Sequence, residues 1–123
     1  MNSEPEIVVV DHRIARDVFE RLVREGFGDM VKFVVDLDRE QAAIGGQLHA
    51  DAELLLLESG SQPGDLWGAN YYPGRGREDC IEFTWLINIR PAQGNAGMEI
   101  VDPTLCERVR ALTHRLIGEG EEL

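Results

Sequence analysis

Apolar residues occupy every second position from 81 to 89: Ile81, Phe83, Trp85, Ile87 and Ile89. Glu82, Thr84, Asn88 and Arg90 fall on the other side, and only Leu86 breaks it. A period of two is that of a strand, whose side chains point to opposite faces in turn. Burying five such residues is worth about 1.5–3 kcal/mol each before entropy. The pattern predicts a central sheet strand, ended by Pro91. Such a strand needs paired neighbours and a layer over its apolar face.

The rest of the chain supplies both. Ile7, Val8, Val9 and Val10 form a β-branched run, read as a strand. Asp11 follows as a candidate cap for a helix carrying Ile14, Ala15, Val18, Phe19, Leu22 and Val23 at helical spacing. Gly26 ends that helix by tolerating positive φ. Val31, Phe33, Val35 and Leu37 alternate with Lys32, Val34, Asp36 and Asp38, as in a half-buried strand. A turn at Asp38-Arg39-Glu40 returns the chain through Ala42 and Ile44, which predicts a hairpin.

A helix over 48–59 stops at Gly60. Its run Leu54-Leu55-Leu56-Leu57 predicts burial on more than one side. A strand over 66–72 stops at Pro73. Asp102 as N-cap and Pro103 at the first position open the last helix, which carries Leu105, Val109, Leu112 and Leu116. The order is β-α-β-β-α-β-β-α. This predicts an α+β fold with a mainly antiparallel sheet and its helices on one face. The chain of 123 residues suits one domain over 1–123, with an ordered core over 7–118 and flexible ends at 1–6 and 119–123.

Charge narrows the partners. The formal net charge is -11, with Lys32 the one lysine. Such a surface repels phosphate backbones and anionic membranes, so neither nucleic acid nor membrane is expected. No stretch approaches the ~20 apolar residues of a bilayer span. Glu4 and Glu6 stand where a secretory leader needs positive charge, so the expected compartment is the cytoplasm. Cys80 and Cys106 lack paired or metal spacing and read as reduced thiols. Neither a metal nor a cofactor is expected. The chain has no phosphate-binding glycine loop, dinucleotide fingerprint or nucleophile elbow.

Three places carry groups capable of chemistry. The first is the junction Gly45-Gly46-Gln47-Leu48-His49-Ala50-Asp51-Ala52-Glu53. Two glycines permit close backbone approach, and the helix start offers free N–H groups. His49 and Glu53 share a helix face, with Asp51 between them. The bland alternative makes the glycines a turn, the acids complements to the helix dipole, and His49 a partner for a backbone group. The second place is the polar side of the 81–89 segment: Glu82, Thr84, Asn88 and Arg90, with Asn70, Tyr72, Lys32 and Asp36 from neighbouring strands. Here the bland reading is a solvated sheet face; the functional ones are a shallow binding surface or a dimer contact through Val34, Leu86 and Tyr72. The third is Arg90-Pro91-Ala92-Gln93-Gly94-Asn95. There Arg90 could hold an anion, and Gln93 and Asn95 bring amides.

Four segments carry a family resemblance: Gly28-Asp29-Met30-Val31-Lys32; Gly45 through Glu53 as written above; Asp65-Leu66-Trp67-Gly68-Ala69-Asn70-Tyr71-Tyr72-Pro73; and Ile87-Asn88-Ile89-Arg90-Pro91-Ala92-Gln93-Gly94-Asn95. In this order they resemble a small prokaryotic family classed as a domain of unknown function, over about residues 8–117. The resemblance implies a stand-alone cytoplasmic protein and transfers no catalytic residue. The chain departs from the family pattern at Thr84-Trp85, where Asp-Ser is usual, and at Ala96-Gly97, where Arg-Ser is usual.

Two functional classes follow. One is a structural or protein-interaction module, a homodimer or partner of another protein, acting through the open sheet face. The other is a small-ligand binder or enzyme whose cleft joins His49, Asp51, Glu53, Asn70, Glu82, Asn88, Arg90, Gln93 and Asn95. The first is favoured, because no acid, base and nucleophile set is visible. The second requires the Gly45–Glu53 junction and the Arg90–Asn95 loop to lie at the same end of the sheet.

Overall fold

In a computed structural model, residues 6–123 are described. The elements follow the expected order: β1 (Ile7–Val10), α1 (Arg16–Glu25), β2 (Val31–Asp36), β3 (Gln41–Gly45), α2 (His49–Glu58), β4 (Leu66–Tyr71), β5 (Ile81–Glu82) and α3 (Pro103–Leu116). The fold is α+β. Its five strands lie in the order β1-β3-β2-β4-β5, and every neighbouring pair is antiparallel.

The hairpin β2–β3 forms as its alternation predicts, pairing Phe33 with Ile44 and Val35 with Ala42. The Asp36 carboxylate holds its turn. One oxygen accepts the N–H groups of Asp38 and Arg39, both at 2.9 Å, and the other accepts the Ser61 hydroxyl at 2.5 Å. Asp36 is therefore fully buried rather than solvated.

The helices divide between the two faces of the sheet. α1 and α3 cover one face, packing Phe19, Leu22, Val23, Val109, Leu112 and Leu116 on Phe33, Val35, Ile44, Ala69 and Tyr71. α2 covers the other, setting Ala52 and Leu56 on Val34, Ala43 and Leu66. Topology requires this division. β1 to β2 and β3 to β4 each skip one strand in the same direction, but the two pairs of strands run oppositely. Crossovers of one hand then place their helices on opposite faces. The face expected to be open for a dimer contact is thus covered at Val34, which is fully buried beneath α2. On α2 itself, Leu54 is 54% and Leu55 39% exposed, so this helix is buried on one side and not on several.

The 81–89 segment departs most from expectation. Only Ile81 and Glu82 pair with β4, at the edge of the sheet. The backbone stays extended through Trp85 but turns to residues 98–100: Ile100 N–H donates to Phe83 C=O and Trp85 N–H to Met98 C=O. A 3-10 turn, Leu86–Asn88, then lifts the chain off the sheet. Leu86 and Ile89 are exposed. The central strand is β2 instead.

Helix ends differ in detail. Asp102 caps α3 as expected, accepting the Thr104 N–H at 2.9 Å. Asp11 does not cap α1, which starts at Arg16; its carboxylate meets the His12 ring at 2.8 Å. Gly26 closes α1 with negative φ, and the positive φ falls on Gly28. At the C-terminus, the expected free end is tied down. Gly120 N–H donates to the Tyr71 hydroxyl at 2.8 Å, and the N–H groups of Gly74 and Gly76 reach Gly120 C=O. Within the expected free N-terminal end, 1–5 lies outside the described residues; Glu6 pairs with Arg21 at 2.6 Å.

Candidate functional site

β4 is where the sequence-predicted residues meet. Gly68 leaves its α2-side surface bare, and the elements above close onto it. A Cβ built there would come within 3.1 Å of Ile87 and 3.2 Å of the His49 ring. The 45–53 junction and the 85–88 turn therefore share one place on the sheet.

His49 is the first residue of α2 and fully buried. Its side chain drops onto β4, where Nε2 lies 2.7 Å from Ala69 C=O. A carbonyl only accepts, so Nε2 carries the proton and Nδ1 of the neutral ring is a bare acceptor. The Trp85 ring lies against the imidazole, centroids 4.5 Å apart. Burial pushes the His49 pKa down to about 4 and Lys32's charge acts the same way, opposed by the Ala69 carbonyl and by Asn70. A histidine held neutral in this way is no proton carrier near neutrality.

Lys32, Asn70 and Glu82 form one row across β2, β4 and β5. Asn70 donates to Glu82 at 2.8 Å, and the Tyr72 hydroxyl reaches the same carboxylate oxygen at 3.3 Å. Lys32 donates to Gln47 C=O at 2.6 Å and lies 4.4 Å from the Trp85 ring centre and 5.0 Å from that of Phe27. This aromatic pairing escaped the sequence reading, since 27, 32 and 85 share no local pattern.

Asn88 and Asn95 are buried and turned inward. Asn88 bonds both backbone groups of Gly68, and donates also to Met98 C=O at 3.1 Å. Asn95 Nδ2 donates to the carbonyls of Asn88, Gly97 and Glu99, while its oxygen accepts the Val101 N–H. Both amides therefore serve backbone: Asn88 that of β4 and residue 98, Asn95 that of its own segment. Gln93 is exposed and donates to Gly64 C=O at 3.2 Å.

Arg90 is half-buried, stacked 4.6 Å over the Trp67 ring, and donates from Nε to Ile87 C=O. Burial lowers its pKa, opposed by the charges of Glu53 and Asp65. Asp51 projects into solvent from the first turn of α2, and Glu53 is half-buried. The cluster brings together His49, Asn70, Glu82 and Asn88; Asp51 and Gln93 stand outside it.

Three buried side-chain atoms of these candidates have no hydrogen-bond partner among the described residues: His49 Nδ1, Asn70 Oδ1 and Arg90 Nη1. Hollows open to either side. One of about 250 Å³ is lined by Leu22, Phe27, Met30, Gly45 and Gly46, among others, and one of about 340 Å³ by Ile7, Leu48, Asp51, Leu54, Leu55 and others. Neither is lined by His49, Asn70 or Asn88. Among the described residues, no three His, Cys, Asp or Glu side chains converge as metal ligands, and no helix is long and apolar enough to cross a membrane.

No curated protein and no solved structure matches the chain. Residues 8–116, nearly the whole chain, match the family described as "Protein of unknown function (DUF5674)", and the chain belongs to that family.

Proposed function

We propose that this domain is a protein-interaction module that works as a homo-oligomer in the cytoplasm. The observation that carries this reading is the apolar strip where β1 meets α2. Leu48, Leu54 and Leu55 are 52%, 54% and 39% exposed around one hollow with Ile7 at its base, and Val9, 43% exposed, continues the line. Adjacent apolar side chains left in water on an otherwise acidic protein mark a contact surface. By contrast, the polar candidates Asn88 and Asn95 already hold backbone partners. The test is the molar mass in solution by light scattering. Twice the chain's 13.8 kDa, or a higher multiple, supports the reading; the single-chain mass at the highest soluble concentration overturns it.

A second reading, a small-ligand binder, is favoured by the unpartnered atoms of His49, Asn70 and Arg90. Buried polar groups left without partners are uncommon, and a ligand with donors for His49 and Asn70 would satisfy them. A thermal-shift screen of metabolites and metals on wild type and His49→Ala tests it. A compound that raises the Tm of wild type alone supports binding at this cluster; equal shifts in both proteins, or none, remove it.

A further inference from the structure

Resting on the homo-oligomer reading, we propose where the copies meet: β1 pairs antiparallel with β1 of a second copy, about a two-fold axis at Val9, joining two five-stranded sheets into one. β1 is an edge strand, bonded only to β3 among the described residues. Its outer side therefore presents unpaired N–H and C=O groups. Natural edges are blunted by lysine, proline, a bulge, shortness or an inward charge. The other edge, β5, is two residues long and gives way to a 3-10 turn. β1 is longer, and its described residues carry no lysine, proline, bulge or charge: Ile7–Val10 is four β-branched aliphatic residues in unbroken register with β3.

Symmetry selects a second copy as the occupant. A two-fold axis perpendicular to the sheet leaves each face on its own side, so both copies of α2 lie on the same side. Opposed residues in an antiparallel pair share a face. With Val9 on the axis, Val9 faces its own copy and Val8 faces Val10, so the centre is wholly aliphatic. Val9 is also the one exposed residue of the strand, on the side where Leu54 and Leu55 are left uncovered. Beyond this centre the same axis sets Ile7 against Asp11 and Glu6 against His12. Two chains of net charge -11 repel at long range, so the pairing tightens as salt rises.

Two variants test the placement, with wild type measured beside them. In Val9→Cys the new thiols face each other with Cα atoms about 4.5–5.5 Å apart, within disulfide reach. Mild oxidation is expected to give a reducible covalent dimer, whereas Met98→Cys, exposed on the 95–101 segment, stays uncrosslinked. Val9→Lys sets two like charges directly opposite and is expected to weaken the dimer at least about tenfold, with the circular dichroism of the fold retained. A wild-type dimer that neither variant touches overturns this inference and leaves the homo-oligomer reading standing. A wild-type monomer overturns both, leaving the edge to a strand of another protein. Should Val9→Lys fail to fold, the disulfide result decides alone.

Discussion

Asn88 brackets Gly68: its side-chain oxygen accepts the Gly68 N–H and its amide donates to the Gly68 C=O, each at 2.8 Å. One side chain thus does what a neighbouring strand does for β4. β5 ends at Glu82, and Asn88 takes over the pairing where the strand leaves off. Asn88→Ala strands two buried backbone groups of Gly68 and removes one of the two donors to the Met98 carbonyl, which keeps the Trp85 N–H. A stranded buried group costs about 1–3 kcal/mol, so a loss of roughly 2–4 kcal/mol is expected in urea unfolding. Asn88→Asp keeps the acceptor but sets a carboxylate against two carbonyls, and is expected to be as damaging. A loss under about 1 kcal/mol for either would show that the amide is not a structural partner.

That bracket also explains what the sequence could and could not show. The Ile81–Ile89 alternation correctly reports extended backbone through Trp85. It says nothing of the partner, which past Glu82 is residues 98–100 and not a strand of the sheet. Periodicity specifies a face, not a neighbour. The β2–β3 hairpin was legible because its pairing is local and its alternation continuous. The burial of Val34 and Asp36 was not, since α2 arrives over that face from a later part of the chain. The site was half legible for the same reason. The motifs marked His49, Asn88 and Asn95, but an amide that binds a ligand and one that binds backbone look alike in sequence.

Gly68 tests how tightly α2 and the 85–88 turn close on β4. Its methyl in Gly68→Ala would meet Ile87 at 3.1 Å and the His49 ring at 3.2 Å. Overpacking of this kind costs about 1–3 kcal/mol. Ile87→Ala removes both atoms of that contact, Cγ1 and Cδ1, so the double variant is expected to be more stable than the sum of the two single losses. A double-mutant cycle by chemical denaturation reads this; strict additivity would mean that the two positions do not touch.

The Tyr71 hydroxyl anchors the C-terminal segment through the Gly120 N–H. Burial pushes its pKa up to about 12, with the Gly120 N–H opposing, so the bond persists across the ordinary pH range. Tyr71→Phe keeps the ring contact with Phe19 and removes only the hydroxyl. The expected cost is about 1 kcal/mol, with faster hydrogen exchange at Gly120. Unchanged exchange there would show that the backbone bonds from Gly74 and Gly76 suffice to hold the segment.

His49 makes stability depend on pH, and the sign follows from its burial. The folded pKa is about 4 and the ordinary value 6.5, so between these the unfolded chain binds the extra proton. Stability therefore falls as pH drops below about 6.5, and the loss is complete below about 4, reaching roughly 3 kcal/mol. Above about 7 the group contributes no pH dependence. Going from about pH 7.5 to about pH 5, His49 alone should remove roughly 2 kcal/mol, before most carboxylates titrate. His49→Gln cannot protonate, while His12 and His114 are common to both proteins. Urea unfolding at the two pH values should therefore show wild type losing about 2 kcal/mol more than the variant. Equal losses would place the His49 imidazole in contact with water and undo its reading as a neutral, structural ring.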